Sequence, residues 1–177
     1  MSGLLAPPVS VPPPLYTGSF YAVEAAGALS RLNGENSGGL DVGLRASSVL
    51  QIADVAARYE LAMMPDAELH GLAVSAQFHP FFMFMLGSDR LWTTLASIYM
   101  RLGLGGAYVT GGTGFAGIWD WGAGLDTPLT DPDAGSSLWL GFEYRRTSLL
   151  DPPGDAPVGD DPLQSFVFRA GWRFNAL

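Results

Sequence analysis

From residue 18 to the carboxy terminus, hydrophobic and polar positions alternate with a period of two in eight stretches. That period marks extended chain with two unlike faces. The stretches run 18–29, 40–47, 52–64, 69–79, 97–109, 118–127, 137–149 and 164–177. In 40–47, Leu40, Val42, Leu44 and Ala46 alternate with Asp41, Gly43, Arg45 and Ser47. In 52–64, Val55, Ala57, Tyr59 and Leu61 alternate with Asp54, Ala56, Arg58 and Glu60. The last stretch is the sharpest. Phe166, Phe168, Ala170, Trp172 and Phe174 share one face; Val167, Arg169, Gly171 and Arg173 share the other.

Turn-forming runs separate the stretches: RLNGENSGG at 31–39, Pro65-Asp66, TGGTGFAG at 110–117, PLTDPDAGS at 128–136 and the acidic, proline-rich 151–162. Such short connections predict antiparallel neighbours. The exception is PFFMFMLGSDRLWTT, 80–94, where alternation stops and the chain is most apolar. This is expected to be a long connection with a helical turn.

The two faces sort in an unusual way. One collects Glu24, Asp41, Asp54, Glu60, Asp120, Asp126 and Glu143 with Arg45, Arg58, Arg101, Arg145, Arg169 and Arg173, seven acids against six arginines. The other collects Tyr59, Leu102, Trp119, Trp121, Phe142, Phe168 and Trp172. A soluble eight-stranded barrel of the lipocalin kind has the reverse, an apolar lumen and a polar outside. In water the aromatic face would aggregate, whereas in lipid it is the natural exterior. Strands of about 9–11 residues cross a bilayer, and closure satisfies every backbone group there. The predicted class is therefore all-β, an eight-stranded antiparallel up-and-down transmembrane β-barrel. With both termini at one end, Tyr21, Phe78, Trp172 and Phe174 fall at the lower lipid interface, and Tyr108, Trp119 and Tyr144 fall in the upper half. These are two aromatic girdles.

On this pattern, and on the closing strand GWRF with Phe174 near its end, residues 18–177 resemble the small eight-stranded outer-membrane β-barrel superfamily, the OmpA-like and OmpX-like transmembrane domains of Gram-negative bacteria. In that family the last strand usually finishes on the aromatic; here Asn175 to Leu177 follow it. The resemblance implies residence in the bacterial outer membrane, in contact with its lipid and lipopolysaccharide. No second, peptidoglycan-binding domain is expected beside the barrel.

Composition narrows the picture. The chain has 177 residues, a net charge of −8 and no cysteine, and every basic residue is arginine. That balance argues against a nucleic-acid partner, and the lack of thiols removes disulfide and thiolate-metal chemistry. No apolar run is long enough for a transmembrane helix. Residues 1–17 form a proline-rich extended leader, which lacks the basic start and apolar segment of a signal peptide.

Candidate chemistry is sparse. The charged face reads as a salt-bridge network filling the lumen, because unpaired buried charge is costly and eight strands leave room for little else. The alternative is a polar path for small solutes. His70 and His79 fit neither a metal motif nor the His-x-Ser-Asn pattern of lipid A deacylases, and no spacing argues for a triad with Ser75. The acidic run 151–161 lacks calcium-loop spacing, and the glycine run 111–117 lacks the context of a phosphate loop. No catalysis, cofactor or metal is expected. Phe81, Phe82, Phe84 and Trp92 of the apolar connection read as a contact with lipid or with an envelope protein partner. The expected role is structural, as an assembly or anchoring component of the outer membrane. A channel or transporter for small or apolar solutes is the alternative; a lipid A-modifying enzyme or a soluble lipocalin-like binder is further off.

Overall fold

Each alternating stretch becomes a strand of one closed sheet. A computed structural model of the chain describes residues 19–32, 34–47, 52–64, 66–86, 90–110, 114–151 and 161–175. The leader 1–17 and most of the acidic run 151–162 lie outside them. The strands are β1 (Phe20–Leu32), β2 (Glu35–Ser47), β3 (Ala53–Met63), β4 (Glu68–Phe78), β5 (Tyr99–Val109), β6 (Gly114–Pro128), β7 (Ser136–Leu150) and β8 (Leu163–Asn175). Each pairs antiparallel with the next, and β1 pairs with β8 to close the barrel. At the seam Tyr21 faces Phe174, Val23 faces Trp172 and Glu24 faces Gly171.

The alternation translates directly into burial. In β8 every second residue from Leu163 to Arg173 is buried and those between are exposed. Because the side-chain period is two, one register error would invert every face; the pairing instead keeps the seven acids and six arginines of the charged face buried on the lumen side.

Several boundaries differ from expectation. β6 begins at Gly114 rather than 118. Residues 35–39, read as part of a turn, belong to β2: Ser37, Gly38 and Gly39 pair with Ser30, Leu29 and Ala28. The ladder uses backbone groups, so a glycine-serine run can extend it when its partner strand continues. The reversal is confined to the residues around Gly34, whose φ of 87° suits a residue without Cβ. A further difference is at 97–98, expected in strand 5. Ser97 instead ends a helix, its hydroxyl donating to the Thr93 carbonyl at 2.9 Å.

The 80–94 connection is helical, as anticipated, and more fully so. A 3-10 helix spans Phe82–Leu86 and α1 spans Arg90–Ala96. Both lie at the barrel end that carries the strand termini Phe20 and Asn175.

Candidate functional site

The lumen is where the chain concentrates its chemistry. Every charged residue assigned inward from the sequence is buried there: Glu24, Asp41, Arg45, Asp54, Arg58, Glu60, Arg101, Asp120, Asp126, Glu143, Arg145, Arg169 and Arg173. They form one continuous network built around three carboxylates.

Glu143 is the centre of the upper part. Its Oε1 accepts from Arg101 Nη1 and from Arg145 Nε, each at 2.8 Å, with Arg58 at 3.6 Å. Its Oε2 accepts from the Tyr99 hydroxyl at 2.7 Å. Arg101 also pairs with Asp120 at 2.8 Å. Arg145 reaches across the lumen to Asp41 at 2.6 Å and to Glu60. Glu24 is the hub near the seam, with Arg45 at 2.9 Å and Arg169 at 3.2 Å. The Arg169–Glu24 pair spans the β1–β8 seam, whereas Arg173 reaches Asp126. Asp126 is the third hub, shared by Arg45 at 2.6 Å, Arg169 at 3.4 Å and Arg173.

Inward glycines leave room for this. A methyl group on Gly103 would strike the Asp120 carboxylate, and one on Gly141 would strike that of Asp126. The glycines of the alternating pattern are therefore the spaces into which neighbouring charges fold. A void bounded by Glu24, Asp41, Arg58, Arg145 and Arg169 has a volume of about 10 Å³, room for about one water molecule.

Both ends are closed by features that charge patterning did not reveal. At the end away from the termini, Leu32, Ala62, Leu69, Val109, Ile118 and Leu163 converge into an apolar cluster. The lumen is thus charged through its middle and apolar at that mouth. At the other end, the Arg173 guanidinium lies between the rings of Trp139, at 3.7 Å, and Phe20, at 4.3 Å. Trp139 Nε1 donates to Ser137 Oγ at 2.7 Å. His79 Nε2 lies 3.0 Å from Asp54 Oδ2, and both side chains are fully buried. Trp139 shares the inward parity of Gly141 and Glu143 along β7.

The second histidine is elsewhere. His70 sits on the outer wall, its Nδ1 2.8 Å from the Tyr59 hydroxyl and its Nε2 3.3 Å from Glu68. Ser75 is buried on the lumen side of β4, so its hydroxyl and His70 lie on opposite faces of that strand.

The exterior is an apolar belt. Tyr21, Phe78, Trp172 and Phe174 lie on the outer face near the termini end. Tyr108, Trp119 and Tyr144 lie on the outer face toward the other end, where Phe115, 80% exposed, meets Tyr108 at 5.1 Å with the two rings tilted and adds to the girdle. Charged inside and apolar outside is the distribution of a transmembrane barrel. Of the four residues singled out in the connection, Phe81, Phe84 and Trp92 are exposed, while Phe82 is half-buried.

No protein-family model matches the sequence, and no curated protein sequence matches it. Solved structures do resemble it. Neisserial surface protein A (NspA) aligns with 90% of this chain and 97% of its own at 16% identity, with a TM-score of 0.53. The outer membrane enzyme PagL aligns with 85% and 97% at 15% identity and a TM-score of 0.45. Ail, the attachment invasion locus protein of Yersinia pestis, solved with the heparin analogue sucrose octasulfate, aligns with 88% and 97% at 15% identity and a TM-score of 0.43. The likeness to NspA shows the fold: this chain has the closed eight-stranded up-and-down architecture of the small outer-membrane barrels.

Proposed function

We propose that this chain is an integral protein of the bacterial outer membrane whose barrel does not conduct and serves as a structural or anchoring component of the envelope. The observation that carries this reading is the lumen. Six arginines and seven carboxylates occupy it as one ion-pair network. An apolar cluster closes one mouth, and the Trp139–Arg173–Phe20 stack closes the other. A solute would have to break several buried pairs, each of which leaves an uncompensated charge in a low-dielectric interior. The apolar belt and its two girdles support residence in a bilayer. Outward-facing surface, rather than a passage or an internal pocket, is then what the molecule offers its surroundings.

Purified barrel in a planar lipid bilayer tests this. The expected record is a flat baseline under applied voltage at neutral pH. Steady unitary currents would replace the closed-lumen reading with that of a channel. Heat-modifiable mobility in gels, with aggregation once detergent is removed, is the accompanying expectation for a membrane barrel. A monodisperse sample in plain buffer would sink the membrane assignment itself.

A further inference from the structure

We infer that the segment joining β4 to β5 is an in-plane membrane anchor: the 3-10 helix and α1 lie at the headgroup–acyl boundary of the leaflet at the termini end of the barrel. The inference rests on the barrel spanning a bilayer, and its test reads that premise separately.

The segment has two sides. One is fixed to the rim of the barrel. Thr93 and Ala96 are buried, and the Thr94 hydroxyl lies 2.9 Å from that of Thr127 on β6. Arg90 Nη2 donates to the Leu129 carbonyl at 2.9 Å, just past the end of β6. A seven-residue helix has little stability alone, so these ties to the rim hold it in place. The other side is apolar and open. Met83 is 68% exposed and Leu91 62% exposed. Phe81 and Phe84 stack at 5.9 Å, and Phe84 meets Trp92 at 5.2 Å. No charged residue occurs from 80 to 88.

Continuity identifies the occupant. Phe78 and Met100, the outward residues nearest the ends of β4 and β5, belong to the lipid-facing belt, and Leu125 continues it on β6. The helical patch is the extension of that belt past the strand ends. A water-soluble partner would cover it only by reaching into the same lipid-adjacent zone. Aromatic and aliphatic side chains with a tryptophan, on short helices lying beside a spanning wall, match the chemistry of the interface. Arg90 is tied to the rim through the Leu129 carbonyl, and the open side is made by Phe81, Met83, Phe84, Leu91 and Trp92.

The chain's lack of cysteine makes the test direct. Single variants Met83→Cys, Leu91→Cys, Leu102→Cys and Asp131→Cys each carry one nitroxide. Each barrel is reconstituted in vesicles of phosphatidylethanolamine and phosphatidylglycerol. Collision with oxygen, which partitions into lipid, is compared with collision with a water-soluble nickel chelate. Leu102 lies mid-wall and Asp131 in the exposed β6–β7 turn, and they set the lipid and water limits. The labels at 83 and 91 are expected to shift from the Asp131 value toward the Leu102 value. Aqueous readings at 83 and 91 with a lipid reading at 102 would overturn the anchor and leave the spanning barrel standing. Low collision with both reagents at 83 and 91 would mean that protein covers the patch, and would also overturn it. An aqueous reading at 102 would remove the membrane premise.

Discussion

Among individual side chains, Arg101 has the most to lose. It holds Glu143 and Asp120, both at 2.8 Å, and neither carboxylate has access to solvent. Glu143 keeps Arg145, Arg58 and Arg169 when Arg101 is removed, but Arg101 is the ion-pair partner found for Asp120 among the described residues. Arg101→Met is therefore expected to cost about 3–5 kcal/mol, the range for stranding a buried charge, in reversible urea unfolding from vesicles. Arg101→Met with Asp120→Asn should recover at least about 1 kcal/mol of this, because the stranded charge goes with it. Arg58 is the contrast. Its carboxylates lie at 3.6 and 4.0 Å, so Arg58→Met should cost less than Arg101→Met. Equal losses at the two positions would show that geometry does not rank these pairs.

Strands were the part of the chain most legible in advance. Eight alternating stretches became eight strands with the expected faces, because a sheet with one buried face imposes the period of two on its sequence. The same logic located the network: charge on the lumen side of several strands has nowhere to go but toward the opposite charge on others. Pair identities were not legible. Arg145 meets Asp41 and Glu60 from strands far away around the barrel, a choice set by barrel curvature and side-chain length. Nor was the apolar closure, since Leu32, Val109 and Leu163 sit at strand ends, where a single inward leucine leaves no periodic signal. The residues after Phe174 are a third case. Asn175, beyond the aromatic, fastens the end of β8 to the β6–β7 turn, its Nδ2 donating to the carbonyls of Pro132 and Ala134 at 2.9 and 2.7 Å. Asn175→Ala should lose about 1 kcal/mol per bond at most. Hydrogen exchange should accelerate at the Phe174 end of β8 and stay unchanged near Phe168. Uniform exchange along the strand would show that the fastening is dispensable.

For the whole molecule, the location of the arginines has a consequence for proteolysis. Nine arginines and no lysines are the complete set of trypsin sites. Six point into the lumen, leaving Arg31, Arg90 and Arg146 outside, with Arg146 on the lipid-facing wall of β7. Trypsin should thus digest the unfolded chain to small peptides yet nick the folded one at few places. Arg90 lies at the termini end and Arg31 close to the opposite end. In sealed vesicles Arg90, on the segment lying in the membrane boundary, is shielded, so cleavage at Arg31 by external protease would report which way up the barrel inserted. Cleavage at Arg90 is expected only once the vesicles are dissolved in detergent. Cleavage after Arg90 divides the chain near its midpoint, between β4 and β5. The β4–β5 and β1–β8 ladders still join the two halves edge to edge. The nicked barrel should migrate as one folded species until heating separates it into two fragments.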